Sequence, residues 1–217
     1  MTEKPATLGD LAHVFHGAGN ADIFTEEKLL KASKRPEVAE CRVIRAPDVV
    51  SLLPWLKPDE ISGGTFTKTG GGNFLVCGAG TGTMTMTGGT LDVTSGEIQI
   101  PEGGTGTMNL SGATSEIRGN TVRIGTNGGS SGTLNLNGGT LRANQIIGGS
   151  GTTRAAAFNG TQLIAKQNNT TFINALTSAT VNAGGLLIDS NSFNLTVPQL
   201  LTGTGGIVKA GVGTLTL

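Results

Sequence analysis

The sequence predicts an all-β protein, a right-handed, three-sided parallel β-helix of about six turns with about 24 residues per turn, behind a small α+β N-terminal segment. Three observations predict this fold. A phrase in which polar and apolar residues alternate returns five times. Glycines cluster between the copies, and the repetitive part lacks helical spacing of apolar residues.

The repeated phrase sets the period of the predicted solenoid. It is clearest at positions 83–91, Thr-Met-Thr-Met-Thr-Gly-Gly-Thr-Leu, and its apolar pairs recur at nearly constant spacing in the later copies. Alternating side chains point to opposite faces of a strand, so one residue set is expected to face the core. The predicted inward pairs are Met84/Met86, Met108/Leu110, Leu134/Leu136, Ala156/Phe158 and Val181/Ala183.

Three strands fit into each repeat, which predicts a three-sided turn. After Met84, the alternation continues at Leu91 and again at Ile98, and glycine-rich stretches separate the three segments. Glycine adopts positive φ without a Cβ penalty, so it suits the corners. Stacked strands lie about 4.8 Å apart, and about six turns would make a prism roughly 30 Å tall that starts near Gly63.

Composition divides the chain near residue 62. Residues 1–61 hold 18 of the 30 charged side chains and three of the 36 glycines. We therefore expect an anchoring or capping segment at residues 1–61 and the solenoid at 62–217. The 15 basic and 15 acidic residues cancel, which disfavours nucleic acid as a partner. No apolar stretch is long enough to span a bilayer and no signal peptide is evident, so we expect no membrane insertion.

The N-terminal segment carries its own signals. Thr25 is a good N-cap, acidic residues follow it and Pro36 would end the helix, so residues 25–35 are predicted to be helical. Residues 41–46 alternate weakly and suggest a strand. The segment is too small for a strong core, so its apolar cluster is expected to cap the solenoid or to anchor it to a larger assembly. The predicted anchoring or capping residues are Leu52, Leu53, Trp55 and Leu56.

The C-terminal residues 203–217 read as strand to the last position and follow the pattern Gly-x-Gly-Gly-x-x-Lys-x-Gly-x-Gly-Thr-Leu-x-Leu. This pattern resembles the autotransporter-associated β-strand repeat of bacterial surface proteins. The resemblance implies a right-handed β-helix exposed outside a cell. An apolar strand at this end also leads us to expect a continuing chain or a covering partner.

The stacked repeat without a secretion signal also resembles phage head fibres, decoration proteins and tailspikes. That resemblance implies a virion component, a homo-oligomer with a trimer favoured, a capsid bound through residues 1–61 and a host surface glycan as a possible target. The alternative is a fragment of a bacterial adhesin or autotransporter passenger domain, located at the cell surface or outside the cell.

Signals for metal, nucleotide or redox chemistry are weak, so we expect no cofactor and no metal. His13 and His16 lie beside Asp10 without further ligands at a recognisable spacing. Residues 78–82 are glycine-rich, but no Lys-Ser/Thr follows them and the next residues read as strand. Cys41 and Cys77 match no motif, and we expect two buried reduced thiols, with a disulfide as the alternative.

Enzymatic chemistry is also disfavoured, and we expect no catalytic residue. Polysaccharide-cleaving β-helices need paired carboxylates, and among the five acids of the solenoid only Asp92 and Glu116 fall on neighbouring turns with a plausible acid–base pairing. These two align in an outward column that continues with Arg142 and Lys166. Threonines on another face suggest an ice-binding row, but asparagines interrupt it, which favours a hydrogen-bonding ladder. We therefore expect a non-enzymatic stalk or fibre, with a polysaccharide-degrading enzyme as the least favoured alternative.

Overall fold

A computed structural model describes residues 45–46 and 60–217, which form a parallel β-solenoid of about six turns. The predicted fold class is confirmed, with about 24 residues in each turn. No helix occurs in the described part, and hence no helical segment there could cross a membrane. The helix predicted at residues 25–35 lies outside the described residues.

Three faces make up each turn, and all strand pairings between the described residues are parallel. The eight-stranded sheet contains β1 (Arg45–Ala46), β3 (Thr65–Lys68), β6 (Thr90–Val93), β9 (Glu116–Arg118), β12 (Thr140–Ala143), β15 (Thr161–Ala165), β18 (Leu186–Asp189) and β21 (Ile207–Ala210). The seven-stranded sheet contains β2 (Glu60–Ile61), β5 (Thr81–Met86), β8 (Thr105–Ser111), β11 (Ser131–Asn137), β14 (Thr153–Phe158), β17 (Ser178–Val181) and β20 (Thr202–Gly203).

The third face consists of a five-stranded sheet and, above it, a two-stranded one. The five-stranded sheet contains β4 (Phe74–Leu75), β7 (Glu97–Ile100), β10 (Thr121–Ile124), β13 (Gln145–Gly148) and β16 (Ile173–Asn174). The two-stranded sheet pairs β19 (Leu195–Thr196) with β22 (Leu215–Thr216). Backbone hydrogen bonds from Phe172 to Thr196 and from Gln199 to Ile173 join the two parts of this face.

The core is a stack of the inward side chains that the alternation predicts. Met86, Leu110 and Leu136 are fully buried, and each lies in register with its equivalent one turn away. The prediction was wrong for the fifth pair. Val181 pairs with Phe158 and the preceding inward residue is Ala179, whereas Ala183 is exposed. One residue separates Met86 from the two glycines of its corner, whereas two residues separate Val181 from its glycines. Aligning the repeats by their glycines therefore placed this copy two residues too late.

The sheets begin before the predicted boundary at residue 62. Glu60 and Ile61 pair with Thr85 and Met86 in the seven-stranded sheet. Further upstream, β1 pairs with Thr67 and Lys68 at the outer edge of the eight-stranded sheet. Part of the strand predicted at residues 41–46 is thereby observed. The composition change therefore marks where the glycine-rich corners begin, and sheet formation starts earlier.

The corners differ in length from turn to turn. In the seven-stranded sheet, one turn of the chain runs from Met84 to Met108. The matching turn in the eight-stranded sheet, from Leu91 to Ile117, contains two more residues. The two additional residues lie in the corner that ends at Ser115, whose hydroxyl donates to the carbonyl oxygen of Gly112 at 2.7 Å. A local period therefore predicts register correctly only within one face.

Candidate functional surfaces

A charged pair lies on the third face, where Glu97 and Arg123 stand one turn apart. The guanidinium donates from Nε to Oε2 at 2.8 Å and from Nη2 to Oε1 at 2.6 Å, a bidentate ion pair. The amide of Gln99 also donates to Oε2 at 3.0 Å. The bond from Arg123 is the largest influence that holds the pKa of Glu97 below its usual value. The residues carry opposite charges about one period apart, a signal that could have predicted the pair.

Glu116, on the eight-stranded sheet, is held by two arginines. Arg118 donates from Nη2 to Oε2 and Arg142 donates from Nε to Oε1, both at 2.6 Å. The bond from Arg118 is the leading cause that lowers the pKa of this carboxyl group. Glu116 is thus kept as a carboxylate, which pairs with Arg118 on its own strand and with Arg142 on the following turn.

The outward column predicted from Asp92 through Glu116 to Arg142 and Lys166 is wrong. Asp92 lies in register with Arg118, and Glu116 with Thr90 and Thr140, because the corner before Glu116 carries two additional residues. Glu116 reaches Arg142 only diagonally. Lys166 follows the end of β15 and donates to the carbonyl oxygen of Gly119 at 2.9 Å, two turns back along the solenoid.

These geometries disfavour acid–base chemistry by the acids of the solenoid. A glycosidase acid needs a raised pKa and a second carboxylate across a cleft. Instead, the pKa values of Glu97 and Glu116 are lowered by arginines, and Asp92 does not share a column with Glu116. Among the described residues, no group of three or more His, Cys, Asp or Glu side chains is arranged to hold a metal ion.

The outward face of the seven-stranded sheet carries the predicted hydrogen-bonding ladder. Asn135 donates from Nδ2 to Oδ1 of Asn109 at 2.9 Å, and Asn109 donates to the hydroxyl of Thr85 at 3.3 Å. The ladder meets Ala157 in the next turn, which has no group to continue it. A second outward column of hydroxyls, absent from the sequence prediction, runs beside the ladder through Thr81, Thr105, Ser131 and Thr153.

A shallow groove follows the corner between the seven-stranded and eight-stranded sheets. Its lining is uncharged and includes several glycines, two threonines and the aliphatic side chains of Leu187 and Val208. Such residues provide neither a nucleophile with its base nor a set of metal ligands.

The remaining predicted residues are distributed as follows. Cys77 is a free, half-buried thiol whose pKa is raised by desolvation, and its Sγ contacts the carbonyl oxygen of Ala79 at 3.2 Å. Cys77 is thus reduced, as expected, but less buried than predicted. The predictions for eight other residues lie outside the described part of the chain, namely Asp10, His13, His16, Cys41, Leu52, Leu53, Trp55 and Leu56.

Comparisons with known proteins assign no relative to this chain. No protein-family model matches it, and neither the curated proteins nor the solved structures contain a significant match. Functional inference for this chain therefore depends on its own surfaces.

The ion pairs predict a loss of stability in acid. Because the folded-state pKa values of Glu97 and Glu116 are lowered, their contribution is present above the unfolded value of about 4.3 and is lost as the pH falls through the lowered values. We expect the thermal midpoint to fall between pH 5 and pH 3, measured by circular dichroism. Glu97→Gln should reduce this fall, whereas Glu102→Gln, at an exposed acid, should leave it intact. An equal effect of both variants would contradict the assignment.

Proposed function

We propose that this protein is a non-enzymatic structural element, a rigid stalk or fibre built from the stacked turns. The observation that carries the proposal is the parallel stacking of strands on all three faces, with a single buried apolar core inside it. In a solenoid each turn is stabilised by its neighbours, so length is gained without a globular core. The paired carboxylates and the uncharged groove support a role without catalysis.

The more specific form of the proposal is a phage virion component, a head fibre, decoration protein or tailspike-like stalk that forms a homo-trimer. Residues 1–61 would attach it to a capsid through Leu52, Leu53, Trp55 and Leu56, and the outer end would face the host surface. The support is the stalk-like architecture and the change in composition that separates the two segments.

Immunogold labelling tests the location and arrangement of the proposed stalk. An epitope inserted after Gly128, where no atom lies within 4 Å of the position a Cβ atom would take, should leave the fold intact. Gold on projections from virions, with a trimer by light scattering, is the expected result. Label confined to the cell interior, or a monodisperse monomer, would oppose the virion fibre.

The catalytic alternative has a separate test on capsular and pectic polymers. We expect no oligosaccharide release from the wild-type protein over that of a buffer blank. Release that disappears in Asp92→Asn or Glu116→Gln, with the unfolding midpoint unchanged, would overturn the structural assignment.

A bacterial surface adhesin or autotransporter passenger domain is the second candidate, favoured by how residues 203–217 fit the stack. Gly205 and Gly213 approach backbone carbonyls of the preceding turn so closely that a Cβ atom would lie 1.9 Å and 2.3 Å from them. Thr214 donates from its backbone nitrogen and its hydroxyl to Oδ1 of Asn194, both at 3.0 Å. A genomic reading frame with a signal peptide and a C-terminal membrane barrel would decide for this candidate.

A further inference from the structure

Three asparagines of the chain are followed directly by glycine, namely Asn127, Asn137 and Asn159. In such a pair the backbone nitrogen of the glycine can attack the carboxamide carbon of the asparagine, because glycine has no Cβ atom to hinder the approach. The attack needs a glycine amide that is not held in a hydrogen bond and a peptide unit that can rotate. The three pairs share one chemistry, so their surroundings decide which of them reacts.

The pair at Asn137 is tied to the next turn of the solenoid. Asn137 ends β11 and lies in register with Ser111 of the preceding turn. The amide of Gly138 donates to the hydroxyl oxygen of Thr161 at 3.1 Å, and the same hydroxyl lies 3.0 Å from the carbonyl oxygen of Gly138. Thr161 is buried on the following turn. Attack by the Gly138 nitrogen would therefore require contacts between turns to open first.

The pair at Asn159 is held in a similar way. The amide of Gly160 donates to the carbonyl oxygen of Gly185 at 2.8 Å, again on the following turn. The carboxamide is also engaged, because Oδ1 of Asn159 accepts from the backbone nitrogen of Gly184 at 2.8 Å. Both the attacking nitrogen and the group under attack are thus fixed by the stack.

The pair at Asn127 lies in an exposed corner directly after β10 and lacks these restraints. Among the described residues, neither the amide of Gly128 nor the carboxamide of Asn127 has a hydrogen-bond partner. The bonds that hold their shared peptide unit come from Ser130 in the same corner, whose nitrogen and hydroxyl donate to the carbonyl oxygen of Asn127 at 3.1 Å and 2.6 Å. Rotation of this unit therefore opens one surface turn and leaves the neighbouring turns in place.

We infer that Asn127 is a site of spontaneous deamidation in the folded protein, and that the fold protects Asn137 and Asn159. A bond forms from the Gly128 nitrogen to Cγ of Asn127, the Cγ–Nδ2 bond breaks, and ammonia leaves with the proton of the glycine amide. Water then opens the succinimide ring at either of its two carbonyl carbons, which yields aspartate or isoaspartate. Water is the only co-reactant, and nothing is oxidised or reduced.

The product changes the charge of this corner. The backbone nitrogen of Asn127 donates to the carbonyl oxygen of Glu102 at 3.0 Å, so the two residues stack in adjacent corners, and both are exposed. Deamidation adds a carboxylate above that of Glu102. The corner has room for the longer backbone of isoaspartate, since no atom lies within 4 Å of the Cβ position at Gly128. The site does not depend on the proposed stalk function, because it is a property of one corner.

Peptide mapping by mass spectrometry tests the site on the full chain. The folded protein is incubated in mildly alkaline buffer, where the glycine amide loses its proton more readily, and is then digested in acid. Asn127 and Asn137 form a matched pair, because each is followed by two glycines. The same incubation in urea removes the fold. The variant Gly128→Ala hinders the attack at Asn127 alone.

In the folded protein, deamidation at Asn127 should be at least about tenfold faster than at Asn137 and Asn159, and in urea the three rates should be similar. Gly128→Ala should slow the reaction at Asn127 at least about tenfold and leave the other two sites unchanged. Equal rates at the three sites of the folded protein would overturn the inference. So would an equally large preference for Asn127 in urea, because the fold would then not select the site, or an unchanged rate at Asn127 in Gly128→Ala.

Discussion

Phe158→Ala should be among the most destabilising single substitutions, lowering the free energy of unfolding by about 3–5 kcal/mol. The side chain is fully buried in the middle of the stack, between Leu136 one turn below and Val181 one turn above. Its removal leaves a cavity that neighbouring turns, constrained by their backbone ladders, can fill only in part. Urea unfolding followed by circular dichroism measures the loss.

The same substitution tests how far stability is shared along the solenoid. Each turn contacts mainly its neighbours, so hydrogen exchange should accelerate most in Ser131–Asn137 and Ser178–Val181. Phe193→Ala is the matched control, because Phe193 is only partly buried against the core and the same atoms are removed. We expect a loss of about 1–2 kcal/mol there. A uniform acceleration over all turns, or equal losses for both variants, would contradict this account.

Gly132→Ala is the second substitution with a large expected effect, a loss of about 3 kcal/mol in the free energy of unfolding. A Cβ atom at Gly132 would lie 2.0 Å from the carbonyl oxygen of Ile100 and 2.7 Å from the nitrogen of Gly125. Backbone atoms at the end of β7 and directly after β10 would have to move, because the closest contact is with a main-chain oxygen. The measurement is the free energy of unfolding in urea, together with the yield of folded protein.

Gly128→Ala, four residues earlier, is the control. It tests whether any glycine-to-alanine change in this region is destabilising or only one that causes a clash. No atom lies within 4 Å of the added Cβ position, and the backbone there is not in the left-handed region. We expect a change within about 0.5 kcal/mol. If Gly128→Ala cost as much as Gly132→Ala, the close approach at Gly132 could not be the cause.

Gly132 also illustrates where sequence reasoning was incomplete. The glycines were interpreted as corner residues, and Gly89 fits that interpretation, with φ of +73°. Gly132 lies instead within β11, and Gly106 holds the equivalent place in β8, with its Cβ position 2.9 Å from the ring of Pro101. The glycine between Thr or Ser and Thr in these strands therefore reflects close approach between the third face and the seven-stranded sheet. Local conformational preference does not reveal such a contact.

The polar contacts on the outer faces were likewise predicted only in part. The Thr85 and Asn109 ladder was predicted because its members are one period apart on a face of constant spacing. The register of Glu116 with Asp92 was misassigned because two residues added at one corner shift the neighbouring face, whereas the predicted contact of Glu116 with Arg142 is observed. The buried position of Lys68 depends on the carbonyl oxygens of Gly70 and Ser95, which accept from its ammonium and which only the folded corner brings within reach.

The sequence by itself determined the class of fold, the approximate period and most of the core, because alternation between adjacent residues decides which side of a strand is buried. Only the tertiary structure decided the register across corners, the ion pairs of Glu97 and Glu116, and the buried position of Lys68. These features depend on atoms about one turn away, brought within hydrogen-bonding distance by corner length. Alternation carries no information about corner length, so the charged contacts could be established only once the turns were stacked.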